Sequence, residues 1–136
     1  MAHALINIDV DDLARATKFY CHAFDLGIGR RFADAGIELI GAGPPIYLLA
    51  KPAGSRATPT VSDERHYRRH WTPVHLDFVV TDIRTAVERA RAAGAVLEVP
   101  IATHSWGQIA LMADPFGHGF CVIEFVGRGY DEIASA

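Results

Sequence analysis

The side chain with the clearest chemical potential in this sequence is His75, in the stretch Pro73 to Ala95, PVHLDFVVTDIRTAVERARAAGA. An imidazole can bind a metal ion, move a proton near neutral pH or donate a hydrogen bond; a satisfied structural histidine is the plain alternative. Leu76, Phe78 and Val80 alternate with His75, Asp77 and Val79, the period-two pattern of a strand with one face in a core. His75 and Asp77 therefore share the face opposite the apolar row. His66 and His70 lie upstream at a spacing that would share a helix face, but Arg65, Arg68 and Arg69 interleave with them, and cations so close oppose metal binding. Those arginines could steer an acidic substrate, with a solvated linker face as the default. Trp106 precedes a strand candidate and could stack on a planar ligand or pack at a hairpin base. His104 and His118 stand in turn-like surroundings that suit surface residues. Cys21 and Cys121 are far apart and in no metal-type spacing, so they indicate neither a zinc motif nor a disulfide framework. Gly117 to Gly119 lacks the spacing and the following lysine of a phosphate loop.

The elements that must position these groups are readable from the pattern. After the His75 strand, Asp82 stands where a helix N-cap would, and Ile83, Ala86, Val87 and Ala90 recur at helical spacing before Gly94. Near the N-terminus, Ala4, Ile6, Ile8 and Val10 alternate with His3, Leu5, Asn7 and Asp9. Asp11 and Asp12 follow as cap candidates, and Leu13, Ala16, Tyr20 and Ala23 form a stripe ending near Gly27. Shifted by 70 positions, Val10 meets Val80, Asp12 meets Asp82, Leu13 meets Ile83 and Ala16 meets Ala86. Two copies of one supersecondary unit explain this. Short strand candidates follow each helix: 29–32, 38–40 and 46–50 in the first half, and 96–99, 109–113 and 120–126 in the second. Each half thus reads as strand, helix, then three strands. The segment 51–72 is polar and turn-rich, which suits a surface crossover, and the tail after Gly127 reads as short, polar and loosely held.

The totals narrow the class. A chain of 136 residues, 50% of them hydrophobic, can bury a real core as one domain. A net charge of −3 argues against nucleic acid or an anionic membrane as the main partner. No basic region followed by an apolar stretch opens the chain, and the longest apolar run, near 37–50, is broken by Glu38, glycines and prolines. A cytoplasmic protein with free thiols is the expectation.

Val10-Asp12-Leu13, Val80-Asp82-Ile83 and Asp114-Pro115-Phe116-Gly117 before the final strand together resemble the vicinal oxygen chelate superfamily. That superfamily includes glyoxalases, bleomycin-resistance proteins and extradiol dioxygenases. The resemblance implies an α+β fold: two βαβββ modules, about 3–50 and 73–127, joined by linker 51–72 within a single glyoxalase-like domain of 1–136. It implies a curved mixed sheet around a cavity, and usually a homodimer. One such scaffold hosts isomerases, lyases, dioxygenases and antibiotic-binding proteins, so fold does not dictate function.

Metal-using members take ligands from the first and last strands of each module, positions that carry over to Leu5, His75, Tyr47 (a looser match) and Cys121. Only His75 keeps a typical ligand for hard or borderline ions. Leu5 cannot coordinate, tyrosine is uncommon, and Cys121 favours a softer metal. Glu124, the one carboxylate on the last strand, should point to the other face unless a bulge intervenes. The resemblance thus implies a protein that binds a small molecule among Leu5, Asn7, Tyr47, Asp77 and Trp106 without the full family metal site. The alternative is a metal-dependent lyase, isomerase or dioxygenase with a single divalent ion centred on His75. A third reading has His75 as general base and Cys121 as nucleophile without metal.

Overall fold

In the computed structural model, which describes residues 1–135, two compact units divide the chain at Arg68 and Arg69. The first holds strand β1 (Ile6–Val10), helix α1 (Leu13–Phe24), and strands β2 (Gly27–Phe32), β3 (Gly36–Ile40) and β4 (Ile46–Ala50). The second holds β5 (Leu76–Val79), α2 (Ile83–Ala93), β6 (Val96–His104), β7 (Gly107–Ala113) and β8 (Gly119–Phe125), then a short 3-10 turn at Gly129–Glu132. Each unit is a four-stranded mixed sheet with the same strand order, β1-β4-β3-β2 and β5-β8-β7-β6. In each, the first strand runs parallel to the last and the other pairs are antiparallel. The expected α+β pair of βαβββ modules is the architecture found.

Both helices start where the aspartates place them. Asp12 Oδ1 accepts from Arg15 N at 2.9 Å, and Asp82 accepts from Thr85 N at 3.2 Å and Thr85 Oγ1 at 2.8 Å. Such a cap contributes about 1 kcal/mol, whereas burying a side chain such as Phe19 contributes roughly 1.5–3 kcal/mol. The cap therefore sets the start of the helix and packing holds it. Helix α1 buries Ala16, Phe19, Tyr20 and Ala23, and α2 buries Ile83, Val87 and Ala90. Opposite them lie Val10, Leu39, Ile46 and Leu48 in the first unit, and Ala110, Met112, Phe120 and Val122 in the second. Helix α1 stops earlier than its stripe suggests: Asp25 takes the left-handed conformation (φ 54) and ends it before Gly27, as a short polar side chain can.

Three expectations need correction. Strand β6 runs on to His104, through Pro100, because register shifts between Leu97 and Ala102 leave no ladder donor needed at the proline. The start of the tail is docked where a loosely held tail was expected, with residue 136 outside the described residues: Tyr130 lies 5.1 Å from the Trp106 ring and 4.7 Å from that of Phe125, and Gly129 is buried. Segment 51–72 contains no helix, so His66 and His70 share no helix face. In its place Arg65 fastens this segment to β1, with Nε 2.7 Å from Asp9 Oδ2, and Tyr67 donates to Lys51 O at 2.6 Å. His70 belongs to the second unit, where its N–H donates to Gly117 O and its ring meets His118 edge-on at 5.2 Å. Among the described residues, no helix is long and apolar enough to cross a membrane.

Candidate functional site

In the second unit, the parallel pairing of β5 with β8 sets Asp77 directly across from Cys121. His75 stands two residues before Asp77 on the same face, with Nε2 3.2 Å from Asp77 Oδ1. One nitrogen, one oxygen and one sulfur thus lie within 4.8 Å of one another. His75 and Asp77 are exposed, and Cys121 is buried. Burial, then the charge of Asp77 and a hydrogen bond to it, push the Cys121 thiol up to about 11. The thiol is therefore protonated near neutrality and donates to the Asp77 carboxylate.

The turn before β8 sets this register. Asp114 is buried, and its Oδ1 accepts from Phe116 N at 2.8 Å and from His118 N at 2.9 Å. Gly117 supplies the positive φ of +86 that closes the turn. Pairing of β7 with β8 then runs unbroken from Ala113↔Gly119 to Gly107↔Phe125. With no bulge, Glu124 faces away from Cys121.

The first unit uses the same slots differently. Asn7 lies across from Tyr47, and Tyr47 across from Glu38. The register of β2 shifts between Ile28 and Arg31, and the Arg30 amide turns to Glu38 Oε1 at 3.0 Å. Arg30 then grips the carboxylate with Nε–Oε1 at 3.1 Å and Nη2–Oε2 at 2.7 Å. The Tyr47 hydroxyl accepts from Arg30 Nη2 and donates to Glu38 Oε2, both at 2.7 Å. Hydrogen bonds from Arg30 and Tyr47 lower the Glu38 carboxyl to about 2, and the same carboxylate raises the Arg30 guanidinium and the Tyr47 phenol. Leu5 is exposed and brings no donor atom.

Arg30 and Glu38 escaped the sequence reading. A signal was present, since a lone glutamate between Ile37 and Leu39 in a short strand must face away from their core and find a cation. Trp106 is not brought to His75 and Cys121. It sits at the β6–β7 hairpin tip, stacked on His104 at 5.2 Å and beside Phe125. Phe125 is four residues from Cys121 along β8, about 13 Å at strand rise.

As a metal site, the first-unit positions do not fit: Leu5 has no donor and the Tyr47 phenol is engaged on both sides. The second unit does fit, because its three donors match the number of protein ligands that leaves one coordination position open.

Residues 5–123 match the family model described as a glyoxalase-like domain. Comparison with curated proteins gave no match. Among solved structures, the genomically encoded fosfomycin resistance protein FosX of Listeria monocytogenes superposes with a TM-score of 0.72 at 16% identity, covering 98% of each chain. TioX from Micromonospora sp. ML1 gives 0.69 at 18% identity, over 93% of this chain and 100% of its own. A glyoxalase/bleomycin resistance protein/dioxygenase family enzyme from Burkholderia phytofirmans PsJN gives 0.70 at 18% identity, over 90% of this chain and 97% of its own. At such identities the likeness concerns the fold.

Proposed function

The chain belongs to the glyoxalase-like domain family, and from that premise we propose that it binds a small molecule without the full family metal site. The carrying observation is the fate of the first-unit positions: Leu5 has no donor, and Tyr47 is held in an internal network with Arg30 and Glu38. That network makes a polar platform, bordered by Asn7 and by the Phe32 ring, 6.1 Å from that of Tyr47. Arg30 is largely exposed, and its Nη1 takes no part in these bonds. It is placed to donate to a carboxylate, phosphonate or carbonyl group of a ligand. The proposal extends to a homodimer, by the resemblance, acting in the cytoplasm, where two free cysteines are at home.

A thermal-shift screen of small acids and antibiotics, fosfomycin and bleomycin included, run in excess chelator, tests this reading. A ligand at 100 times its Kd should add about 2.7 kcal/mol of stability, and Arg30→Ala should reduce that gain. A ligand that binds only after divalent metal is restored would overturn it.

A second reading, a lyase, isomerase or dioxygenase working through an ion at His75, is favoured by the convergence of three donors in the second unit. A bound divalent ion would polarise a carbonyl or enolate oxygen. Metal-dependent turnover lost in His75→Ala is its signature. Catalysis by a Cys121 nucleophile is disfavoured, because a thiol held up at about 11 is rarely ionised at neutral pH.

A further inference from the structure

We infer that the molecule bound by the first unit is an uncharged aromatic carbonyl compound, with its oxygen on Arg30 Nη1 and its ring on Phe32. This rests on the small-molecule reading and narrows it from acids and carbonyls together to one chemical class.

The charges on the sheet come first. The four strands of the first unit carry Asp9, Arg30, Arg31 and Glu38 as their charged residues. Arg31 lies across from the buried Ile37, so alternation puts it on the helix side of the sheet. The opposite face holds the other three, and each has its counter-ion there. Glu38 grips Arg30 through two bonds, and Arg65 Nε closes on Asp9 Oδ2 at 2.7 Å. With the Glu38 carboxyl lowered to about 2, its charge is fully present at neutral pH. The face therefore carries no net charge. A ligand anion at Arg30 would meet the repulsion of Glu38 as well as the pull of the guanidinium, and would still have to shed water. A phosphonate dianion fares worst. A carbonyl oxygen asks only for the hydrogen bond.

The free hydrogen-bonding capacity and the shape of the surface narrow the class further. Arg30 Nε donates to Glu38 Oε1, Nη2 donates to Glu38 Oε2 and to the Tyr47 hydroxyl, and that hydroxyl donates back to Glu38. Nη1 takes no part, so the outer edge of the guanidinium offers donors and no acceptor. The ligand must bring the acceptor. Beside this edge the surface is aromatic: Phe32 is 42% exposed, and Arg30 Cζ lies 5.9 Å from its ring centre and 6.0 Å from that of Tyr47. Gly36 stands across from Phe32 and has no side chain to cover the ring. A planar ring can lie on Phe32 beside the guanidinium while its carbonyl oxygen meets Nη1.

The test titrates the full chain, in excess chelator, with benzamide, benzoate, phenylphosphonate and cyclohexanecarboxamide in turn. Proton–nitrogen correlation NMR gives the dissociation constants and the amides that respond. Benzamide should bind most tightly and shift the amides of Arg30, Phe32 and Tyr47. Its saturated analogue should bind at least about twofold more weakly for want of a ring. Phe32→Leu, at an exposed position, should erase that difference. Glu38→Gln removes the internal counter-charge and should bring benzoate ahead of benzamide. Benzoate or phenylphosphonate ahead of benzamide in the unaltered chain would overturn the inference. So would equal binding of the saturated analogue, an unchanged order in Glu38→Gln, or no probe bound at Arg30. A thermal-shift hit from another chemical class would leave the small-molecule reading in place while overturning this one, so the two fail separately.

Discussion

Replacing Asp114 with alanine probes the turn that delivers β8, and Cys121 with it, into register. Its Oδ1 accepts from the buried Phe116 amide at 2.8 Å and the part-buried His118 amide at 2.9 Å. Stranding a buried donor costs about 1–3 kcal/mol, and the His118 amide, nearer solvent, adds about 1, for a loss of about 2–4 kcal/mol. Unfolding entropy of about 2.1 cal/mol/K per residue, over a chain of 136 residues, gives about 0.29 kcal/mol/K. Asp114→Ala should therefore lower Tm by about 7–14 °C. Asp114→Asn keeps an oxygen acceptor at the same place and should lose less than half as much. Thermal unfolding followed by circular dichroism, with urea midpoints as a check, reads both variants. A Tm change under about 2 °C in Asp114→Ala, or equal losses in the two variants, would refute the assignment of this side chain as the clamp of the turn.

The other expectations concern the first unit. Its Glu38 carboxyl, ordinarily at 4.5 and lowered to about 2 by its bonds to Arg30 and Tyr47, favours the folded state above pH 4.5, and that contribution fades as pH falls through about 2. Carbon-13 NMR of the side-chain carboxyls should show one glutamate titrating near 2, moving back towards 4.5 in Arg30→Met; a wild-type midpoint near 4.5 for Glu38 would contradict the network. A Cβ built on Gly29 falls inside contact distance of Glu38 Oε1, and that carboxylate lies at the mobile end of a side chain. Gly29→Ala should therefore keep the fold, swing Glu38 off Arg30, raise the Glu38 titration midpoint and weaken small-molecule binding; an unchanged midpoint would show that the space at Gly29 does not matter.

The sequence revealed most where local chemistry decides structure. Asp12 and Asp82 are N-caps, Gly94 is a C-cap, and 46–50 is a strand with the bounds read for it. Period-two alternation set His75 and Asp77 on one face before any coordinates, and unbroken alternation on β8 turned Glu124 away. Hidden from the sequence were features that arise from pairing between strands. Nothing local says that Arg30 reaches Glu38 across a bulge, or that Asp77 lies opposite Cys121, because register belongs to two segments at once. Tyr130 docking on Trp106 was missed for the same reason: a polar tail with one aromatic gives no sign of where that ring will land.

Register also explains why the two units treat equivalent slots so differently. Asn7 faces Tyr47 and Asp77 faces Cys121, so phenol and thiol occupy one slot of a repeated sheet. One strand further, the first unit continues with Glu38 and the second with Leu111. That substitution decides the electrostatics. Glu38 recruits Arg30, and the guanidinium supplies the positive charge that the phenol and carboxylate call for. Leu111, with Val99 beyond it, brings no charge, so the Asp77 carboxylate has for company the hydrogen-bonding Cys121 thiol and the His75 ring, 3.2 Å away. An internal cation makes the first row self-sufficient, and Arg30 Nη1 takes no part in its bonds. The second row has no such internal cation. The same backbone slot thus carries a phenol bonded to an internal cation in one unit and a thiol beside an uncompensated carboxylate in the other, with the residue one strand away making the difference.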